Sequence, residues 1–150
     1  MYRIINPYTV QQVSKLTCDT YQPLDYNPMK NFVLKAETIR IVEDSFIKYL
    51  SPVPKPTLTL IVSHGDCVHE LPPNSELLAN SDSCCHEMFI AGAKKNILAC
   101  QSHPEFDLQY CIYDRIWPAV VEKNHRLTSI EEEEAKATFE AYHDDDSQLM

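Results

Sequence analysis

Short apolar runs separated by turn residues occupy the middle of the chain. The run 32–42 alternates apolar with polar residues, which predicts a strand, and its charged positions predict that this strand lies at a sheet edge. Four further runs, rich in apolar or β-branched residues and bounded by proline, asparagine or aspartate, predict strands at 57–63, 76–81, 86–92 and 96–102. Such close spacing indicates antiparallel or mixed pairing.

The sequence also predicts helices, one between the first two strands and others after the last strand. Residues 43–50 are expected to form one or two helical turns. Apolar residues recur at helical spacing after Asp107, a candidate N-cap, and Pro118 should kink or shorten that helix. Ser129, followed three residues later by Glu132, matches a capping box and predicts another helix. The narrow apolar stripe predicted for this last helix consists of Ala135, Phe139 and Tyr142.

Composition narrows the class of protein. The 150 residues suffice for one domain, the net charge is -9, and the Lys and Arg residues are scattered, which argues against a nucleic-acid partner. No apolar run reaches 18 residues, so no membrane span or membrane partner is expected. The N-terminal sequence lacks the order of a signal peptide. A cytoplasmic location is therefore expected by default.

Cysteine and glycine usage excludes several kinds of site. The six cysteines include no C-x-x-C pair, and free thiols are expected in a reducing compartment. Glycine occurs only at Gly65 and Gly92. These two glycines are too far apart to form a G-x-G, a G-x-S-x-G or a Walker pattern, so the enzyme classes that depend on these patterns are excluded.

The stretch 63–71, SHGDCVHEL, is the first candidate site. It follows a predicted strand, so His64 and Asp66 should lie at a strand end, where sites of α/β proteins form. His64, Asp66 and His69 are all types of metal ligand, but their spacing matches no metal signature. A surface turn or a substrate-facing turn is the favoured interpretation, and no metal or cofactor is expected.

The stretch 101–106, QSHPEF, is the second candidate. Residues two apart in an extended chain point to the same face, so His103 and Glu105 are expected to lie side by side. A carboxylate beside an imidazole fixes its tautomer and raises its basicity, as a general base requires. The alternative interpretation is an exposed histidine at a strand end.

The order of these motifs along the chain is more specific than any one of them. It resembles the C-terminal half of class I glutamine amidotransferases, in particular the γ-glutamyl peptidase and GMP-synthase-like branch. The resemblance covers about residues 26–122, flanked by a divergent remnant of the elbow region at 1–25 and an acidic helical tail at 123–150. The motifs that carry it are Ser63-His64-Gly65-Asp66, Leu71-Pro72, Leu78-Ala79-Asn80-Ser81-Asp82, Glu87-Met88-Phe89 and Gln101-Ser102-His103-Pro104-Glu105-Phe106.

The resemblance implies a partial flavodoxin-like α/β fold, with a mixed sheet, a central antiparallel ribbon and C-terminal helices. It also implies a Cys-His-Glu triad that hydrolyses glutamine or a γ-glutamyl amide bond through a thioester. His103 would be the general base and Glu105 its orienting acid. Ser63 and His64 would lie beside the amino-acid end of the substrate, a glutamine or γ-glutamyl small molecule.

The chain departs from the family at the nucleophile. The family places its cysteine in a G-x-C-x-G-x-Q elbow. If Gln11 takes the position of the glutamine, Pro7 falls where the cysteine belongs, and Ile5 and Thr9 fall where the glycines belong. Proline has no thiol, and neither Ile5 nor Thr9 adopts the turn easily. Three other thiols are possible substitutes. Cys18 is in no elbow pattern, Cys67 follows the SHGD turn, and Cys100 lies in a predicted strand, so its side chain is expected to point into the core.

Three hypotheses follow for the function. The favoured one is a truncated or degenerate amidotransferase-like protein that is inactive as written. The alternatives are a non-catalytic binding or regulatory module and a hydrolase that uses a substitute thiol. Because part of the family's sheet is missing from the sequence, an exposed sheet edge and self-association are also expected.

Overall fold

Six strands and four helical segments make up the described part of the chain. The structure, a computed structural model, describes residues 3–5, 32–50, 55–68 and 70–143. The strands are β1 (Arg3–Ile5), β2 (Val33–Ile41), β3 (Thr57–His64), β4 (Glu76–Asn80), β5 (Met88–Ala91) and β6 (Ile97–Cys100). The helical segments are α1 (Glu43–Leu50), π1 (Leu108–Ile116), π2 (Pro118–Lys123) and α2 (Ser129–Glu140), where π1 and π2 have the wide π-helical geometry.

The strands form one mixed sheet in the order β1-β6-β5-β4-β2-β3. β1 runs parallel to β6, and the other neighbours are antiparallel. In the turn between β5 and β6, Gly92 adopts a φ of 86°, and its carbonyl accepts a hydrogen bond from the Lys95 N–H at 3.0 Å. Glycine takes this left-handed conformation without steric cost. The predicted mixed sheet with a central antiparallel ribbon and C-terminal helices is confirmed.

β2 lies inside the sheet, so its predicted edge position is wrong. It pairs with β3 over eight residues and with β4 at Arg40 and Ile41. The charges that suggested an edge are accommodated individually. Lys35 forms an ion pair with Glu134 of α2 at 3.1 Å, and Glu37 is buried with hydrogen bonds from Ser83.

Both faces of β3 are buried, which explains its nearly continuous apolar run. Leu58, Leu60 and Val62 face the side that α1 covers, together with Phe46 from α1 itself. Ile61 faces the opposite side, which the C-terminal helical segments cover. Alternate residues of a strand point to opposite faces, so a strand covered on both sides needs apolar residues throughout.

The helix predicted after Asp107 exists, but its geometry is wider than an α-helix. Asp107 is the N-cap, and its carboxylate accepts a hydrogen bond from the Tyr110 N–H at 2.6 Å. The buried positions are Ile112, Trp117 and Val121, spaced by five and four residues, as a π-helical turn requires. Pro118 begins the second segment, as expected from its missing N–H.

The capping box of α2 lies one residue earlier than the sequence pattern indicates. Thr128 is the N-cap, and its side chain accepts a hydrogen bond from the Glu131 N–H. The Glu131 carboxylate accepts one from the Thr128 N–H at 2.7 Å. The predicted apolar stripe is confirmed, since Ala135, Phe139 and Tyr142 are all buried.

This register gives a first testable prediction. Replacing Thr128 with alanine is expected to lower the free energy of unfolding by about 1 kcal/mol, because the Glu131 N–H loses its acceptor. The matched control is Ser129→Ala, which removes the hydroxyl that the sequence pattern assigned to the cap. Urea denaturation measures both. A larger loss for Ser129→Ala than for Thr128→Ala would contradict the capping geometry.

Other predictions fall partly outside the described residues. These include the region 1–25 except for β1, most of the proline connector 51–56 and the tail after residue 143. The five cysteines that the structure describes carry free thiols, as predicted. Among the described helical segments, none has the length and apolar character needed to cross a bilayer.

Candidate active site

The site forms where the chain leaves β6 and returns to β3. These strands are far apart in the order of the sheet, yet the His103 N–H donates a hydrogen bond to the Ile61 carbonyl at 2.8 Å. The sheet therefore curls, and the segment that follows β6 meets the end of β3. This curvature brings the two candidate motifs of the sequence into one region.

His103 and Glu105 form a direct pair. The Nδ1 atom of His103 lies 2.9 Å from Oε1 of Glu105. The contact is made in a turn, in which the Phe106 N–H donates to the His103 carbonyl at 3.2 Å, and not along an extended strand. Pro104 fixes one backbone angle of this turn. The two side chains thus lie together, as predicted, although a different local geometry brings them there.

The imidazole of His103 is held on its faces as well as its edge. The residue is 4% exposed, and the ring of Phe106 stacks on it with centroids 4.0 Å apart and an angle of 2° between the planes. Within the described residues, Nε2 of His103 has no hydrogen-bond partner. The ring is therefore rigid, and one nitrogen remains able to accept a proton.

Glu105 is ionised at neutral pH. Partial burial acts to raise its pKa, but the hydrogen bond with His103, the bond to its own backbone and the charge of the imidazole outweigh burial, so the net pKa is lowered. An ionised carboxylate accepts the Nδ1–H of an imidazole and fixes the orientation of the ring. This is the arrangement of a general base with an orienting acid.

Ser63 and His64 lie at the end of β3, opposite Leu34 and Val33 of β2. Ser63 is partly exposed, whereas His64 is 7% exposed and its Nε2 has no hydrogen-bond partner in the described part of the chain. Burial lowers the pKa of His64, and His103 lowers it further, although Glu37 and Asp66 oppose this. His64 is therefore neutral at neutral pH.

Buried polar side chains surround this pair of histidines, and we call them the buried polar cluster. Electrostatic interactions connect His64 with Glu37 and His103, and Glu37 with Glu87. Hydrogen bonds connect Glu87 with Ser81 and Ser102. In the described ranges, the buried polar and charged residues are Glu37, His64, Ser81, Glu87, Gln101, Ser102 and His103.

Two acids of this cluster do not stand out as site residues in the sequence. The pattern presents Glu37 as a charge on an edge strand, and Glu87 only as part of a motif. Glu87 is fully buried, and burial, with the Glu37 carboxylate nearby, raises its pKa to about 7. For Glu87, a glutamate directly before the apolar run Met88–Ala91 is the signal that could have marked it, whereas Glu37 is one of several charged residues in its strand.

The structure also bears on the substitute thiols. Cys100 is buried and points into the core, as expected, and burial raises its pKa to about 12. A thiol with such a pKa is a poor nucleophile at neutral pH. Cys67 is partly exposed. Pro7 and Cys18 lie outside the described residues.

No metal centre assembles from the described residues, where no group of three His, Cys, Asp or Glu side chains has the geometry to hold an ion. His69, one of the ligand types noted in the sequence, is outside the described ranges. The described residues of the site provide groups for acid–base chemistry. These groups are an oriented imidazole, a neutral buried imidazole and two buried carboxyl groups.

The chain matches a known protein family. The family model for glutamine amidotransferase class-I matches residues 10–110. No curated protein sequence matches the chain.

Three solved structures are similar. A glutamine amidotransferase from Thermotoga maritima superposes with a TM-score of 0.63 at 14% identity, covering 97% of this chain and 56% of that one. A protein named SMU.1228c gives 0.58 at 17% identity, covering 79% and 48%. A candidate GMP synthase subunit from Thermoplasma acidophilum gives 0.44 at 24% identity, covering 56% and 41%. The chain thus spans about half the length of these structures.

Proposed function

This chain belongs to the glutamine amidotransferase class-I family, and from this premise we propose that it carries the His–Glu half of a Cys-His-Glu amidase site. The activity proposed for its lineage is hydrolysis of glutamine or γ-glutamyl amide bonds. The chain as given is proposed to be a degenerate form without the nucleophile, and therefore inactive as an amidase.

The observation that carries this proposal is the contact between His103 and Glu105. Their 2.9 Å separation, together with the burial and stacking of the imidazole, provides an oriented base with Nε2 unpaired. In the proposed reaction of the lineage, Nε2 takes the proton of a cysteine thiol, whose sulfur attacks the amide carbonyl. The base then returns the proton to the leaving amine.

The pairing of β1 supports the assignment of the vacant nucleophile position. β1 runs parallel to β6, with Ile5 opposite Ala99. Neighbouring parallel strands end at the same edge of a sheet, and His103 follows Ala99 at that edge. The residue two positions after Ile5 is Pro7, which has no thiol. Removal of a triad nucleophile lowers kcat by about 10⁶-fold, so the pair alone is not expected to turn over an amide.

Binding of an amino-acid ligand is proposed to persist beside Ser63 and His64. The buried Nε2 of His64 lacks a partner, and a polar ligand atom would satisfy it. Positive charge lies next to the same turn. The guanidinium of Arg126 stacks over Phe32 at 5.3 Å and lies 3.3 Å from the point that a Cβ on Gly65 would occupy. This placement suits a ligand carboxylate.

Turnover and binding assays on the purified chain test these two statements separately. L-Glutamine and a γ-glutamyl dipeptide are offered as substrates, and no release of ammonia or glutamate above that of the His103→Ala variant is expected. Turnover that exceeds this control and is lost in Cys67→Ser would restore the substitute-thiol hypothesis.

Binding of L-glutamine is followed by isothermal titration calorimetry and NMR shifts. The His64→Ala variant is expected to weaken it by tenfold or more, on the order of 1.4 kcal/mol. The exposed His143→Ala variant is the control. Binding without turnover is the behaviour of a binding module, the alternative function. Absence of binding in the folded wild type would reject the ligand site and leave only the degenerate domain.

A further inference from the structure

Two cysteine side chains from different turns are in contact with each other. The proposed amidase chemistry uses neither of them. Cys67 lies in the turn after β3, and Cys84 lies in the turn before β5. Their side chains are hydrogen-bonded to each other, although they are far apart in sequence. Neither cysteine is in a disulfide in this structure.

Hydrogen bonds fix the two turns against each other. Nδ1 of His86, two residues after Cys84, lies 2.8 Å from the carbonyl oxygen of Val68, the residue after Cys67. The turn of Cys84 is closed by two bonds to Ser81, from the Ser81 N–H to the Cys84 carbonyl at 2.8 Å and from the Cys84 N–H to the Ser81 hydroxyl at 3.1 Å. The His86–Val68 bond therefore fixes the two turns side by side, and the bonds to Ser81 fix the conformation of the Cys84 turn.

The two thiols differ in their access to solvent. Cys67 is partly exposed, whereas Cys84 is 1% exposed and its sulfur accepts a hydrogen bond from the Gln101 amide at 3.7 Å. The hydrogen bond to Cys67 and burial both raise the pKa of Cys84. Cys67 is thus the thiol that a small oxidant in water can reach, whereas Cys84 is buried next to it.

We propose that Cys67 and Cys84 form a modification site in which a hydroperoxide converts the two thiols to an intramolecular disulfide. Cys67 loses its thiol proton to the solvent, the thiolate attacks one peroxide oxygen and the O–O bond breaks. With hydrogen peroxide the departing hydroxide takes up a proton, so the products are a sulfenic acid and one water. The Cys84 sulfur then attacks the Cys67 sulfur, the S–O bond breaks, and the thiol proton leaves with the hydroxyl as a second water. Two thiols lose two electrons in total, and the peroxide gains them.

Cys85 is the competing partner, because it is exposed and adjacent in sequence to Cys84. Its sulfur, however, contacts Nδ1 of His86 at 3.5 Å, and the hydrogen bond of Cys67 is made to Cys84. The structure therefore favours Cys84 as the residue that resolves the sulfenic acid.

Peroxide oxidation of the full-length reduced chain tests this assignment. After treatment with hydrogen peroxide and blocking of free thiols, the six thiols of the chain are expected to fall to four, with peptide mass spectrometry joining the Cys67 peptide to the Cys84 peptide. Cys67→Ser and Cys84→Ser should each abolish this crosslink. Cys85→Ser and Cys111→Ser should retain it at the wild-type rate.

Several results would overturn the proposal. These are retention of all six thiols, a stable sulfinic acid on Cys67 without a crosslink, and a crosslink that survives in Cys84→Ser but disappears in Cys85→Ser. Circular dichroism and thermal melting of each reduced variant establish that it is folded. Wild-type protein oxidised in urea serves as the reference, and there the preference for the Cys67–Cys84 pair should be lost.

Discussion

Replacing Phe139 with alanine is expected to lower the free energy of unfolding by roughly 3–5 kcal/mol, the range for truncation of a buried aromatic ring. Phe139 is 1% exposed, and its ring meets that of Tyr113 edge-on, with centroids 6.2 Å apart. It lies in the core layer between α2 and the sheet, together with Leu34 and Ile61. Hydrogen bonds such as the one from the Ala36 N–H to the Thr138 hydroxyl hold α2 in place. The cavity that the substitution leaves should therefore collapse only in part.

Urea denaturation at constant pH measures this effect, and Ile130→Ala on the same helix is its control. Ile130 is 78% exposed, so its truncation should change the free energy of unfolding by no more than about 0.5 kcal/mol. Equal effects of the two substitutions would show that α2 does not pack on the sheet as described. The result matters for the site, since the face of β3 that α2 helps to cover carries Ile61, whose carbonyl binds His103.

The elements with local signals could be predicted from the sequence. The runs that became β3, β5 and β6 are short, rich in apolar residues and bounded by turn residues, and such runs are typical of buried strands. Asp107 was identified as an N-cap because an aspartate preceded an apolar helical pattern. Cys100 was placed in the core from its position within a strand, and it is 3% exposed.

Features that depend on distant segments could not be predicted. The alternation in β2 is compatible with an edge or an interior strand, and only the pairing with β4 and the ion pair from Glu134 distinguish them. In π1, π2 and the residue between them, Ile112, Trp117 and Val121 all reach the core, a spacing that fits the wide helical geometry. The cap of α2 was missed by one residue, since Thr128 and Ser129 are both acceptable caps.

The candidate site also has one part that could be predicted from the sequence and one part that could not. His103 and Glu105 are neighbours in sequence, so their contact was accessible to a local argument. The buried polar cluster combines residues from β2, β3, the turn before β5 and the segment after β6. Only the curvature of the sheet brings these four segments together, and no local pattern encodes it. The environment of Glu87 is therefore a property of the fold, and its titration tests the cluster as a whole.

Because of Glu87, the free energy of unfolding is expected to fall as the pH rises. A surface carboxylate has the opposite effect. Burial, followed by the nearby Glu37, raises the pKa of Glu87 to about 7 from an ordinary value of 4.5. The folded protein thus keeps the proton while the unfolded chain releases it. The stabilisation is complete below pH 4.5 and is lost as the pH rises through 7, by roughly 3 kcal/mol in total.

The comparison of wild type with Glu87→Gln isolates this contribution. Glutamine keeps the shape and an acceptor for the Ser81 hydroxyl, which lies 3.3 Å from Oε2, but it does not titrate. Urea denaturation between about pH 4 and about pH 8 should show the stability of wild type falling by roughly 3 kcal/mol relative to the variant. His64 is present in both proteins, so its own titration largely cancels.

Glu105→Gln provides the control of opposite sign. The pKa of Glu105 is lowered on balance, so its stabilisation is present at neutral pH and is lost as the pH falls. Relative to Glu105→Gln, wild type should therefore weaken towards acid, whereas relative to Glu87→Gln it should weaken towards neutral pH. A difference between wild type and Glu87→Gln that stays constant across the range would mean that Glu87 is solvated. The polar cluster beneath His103 would then be open to water, and the buried, rigid setting described for the His103 imidazole would fail with it.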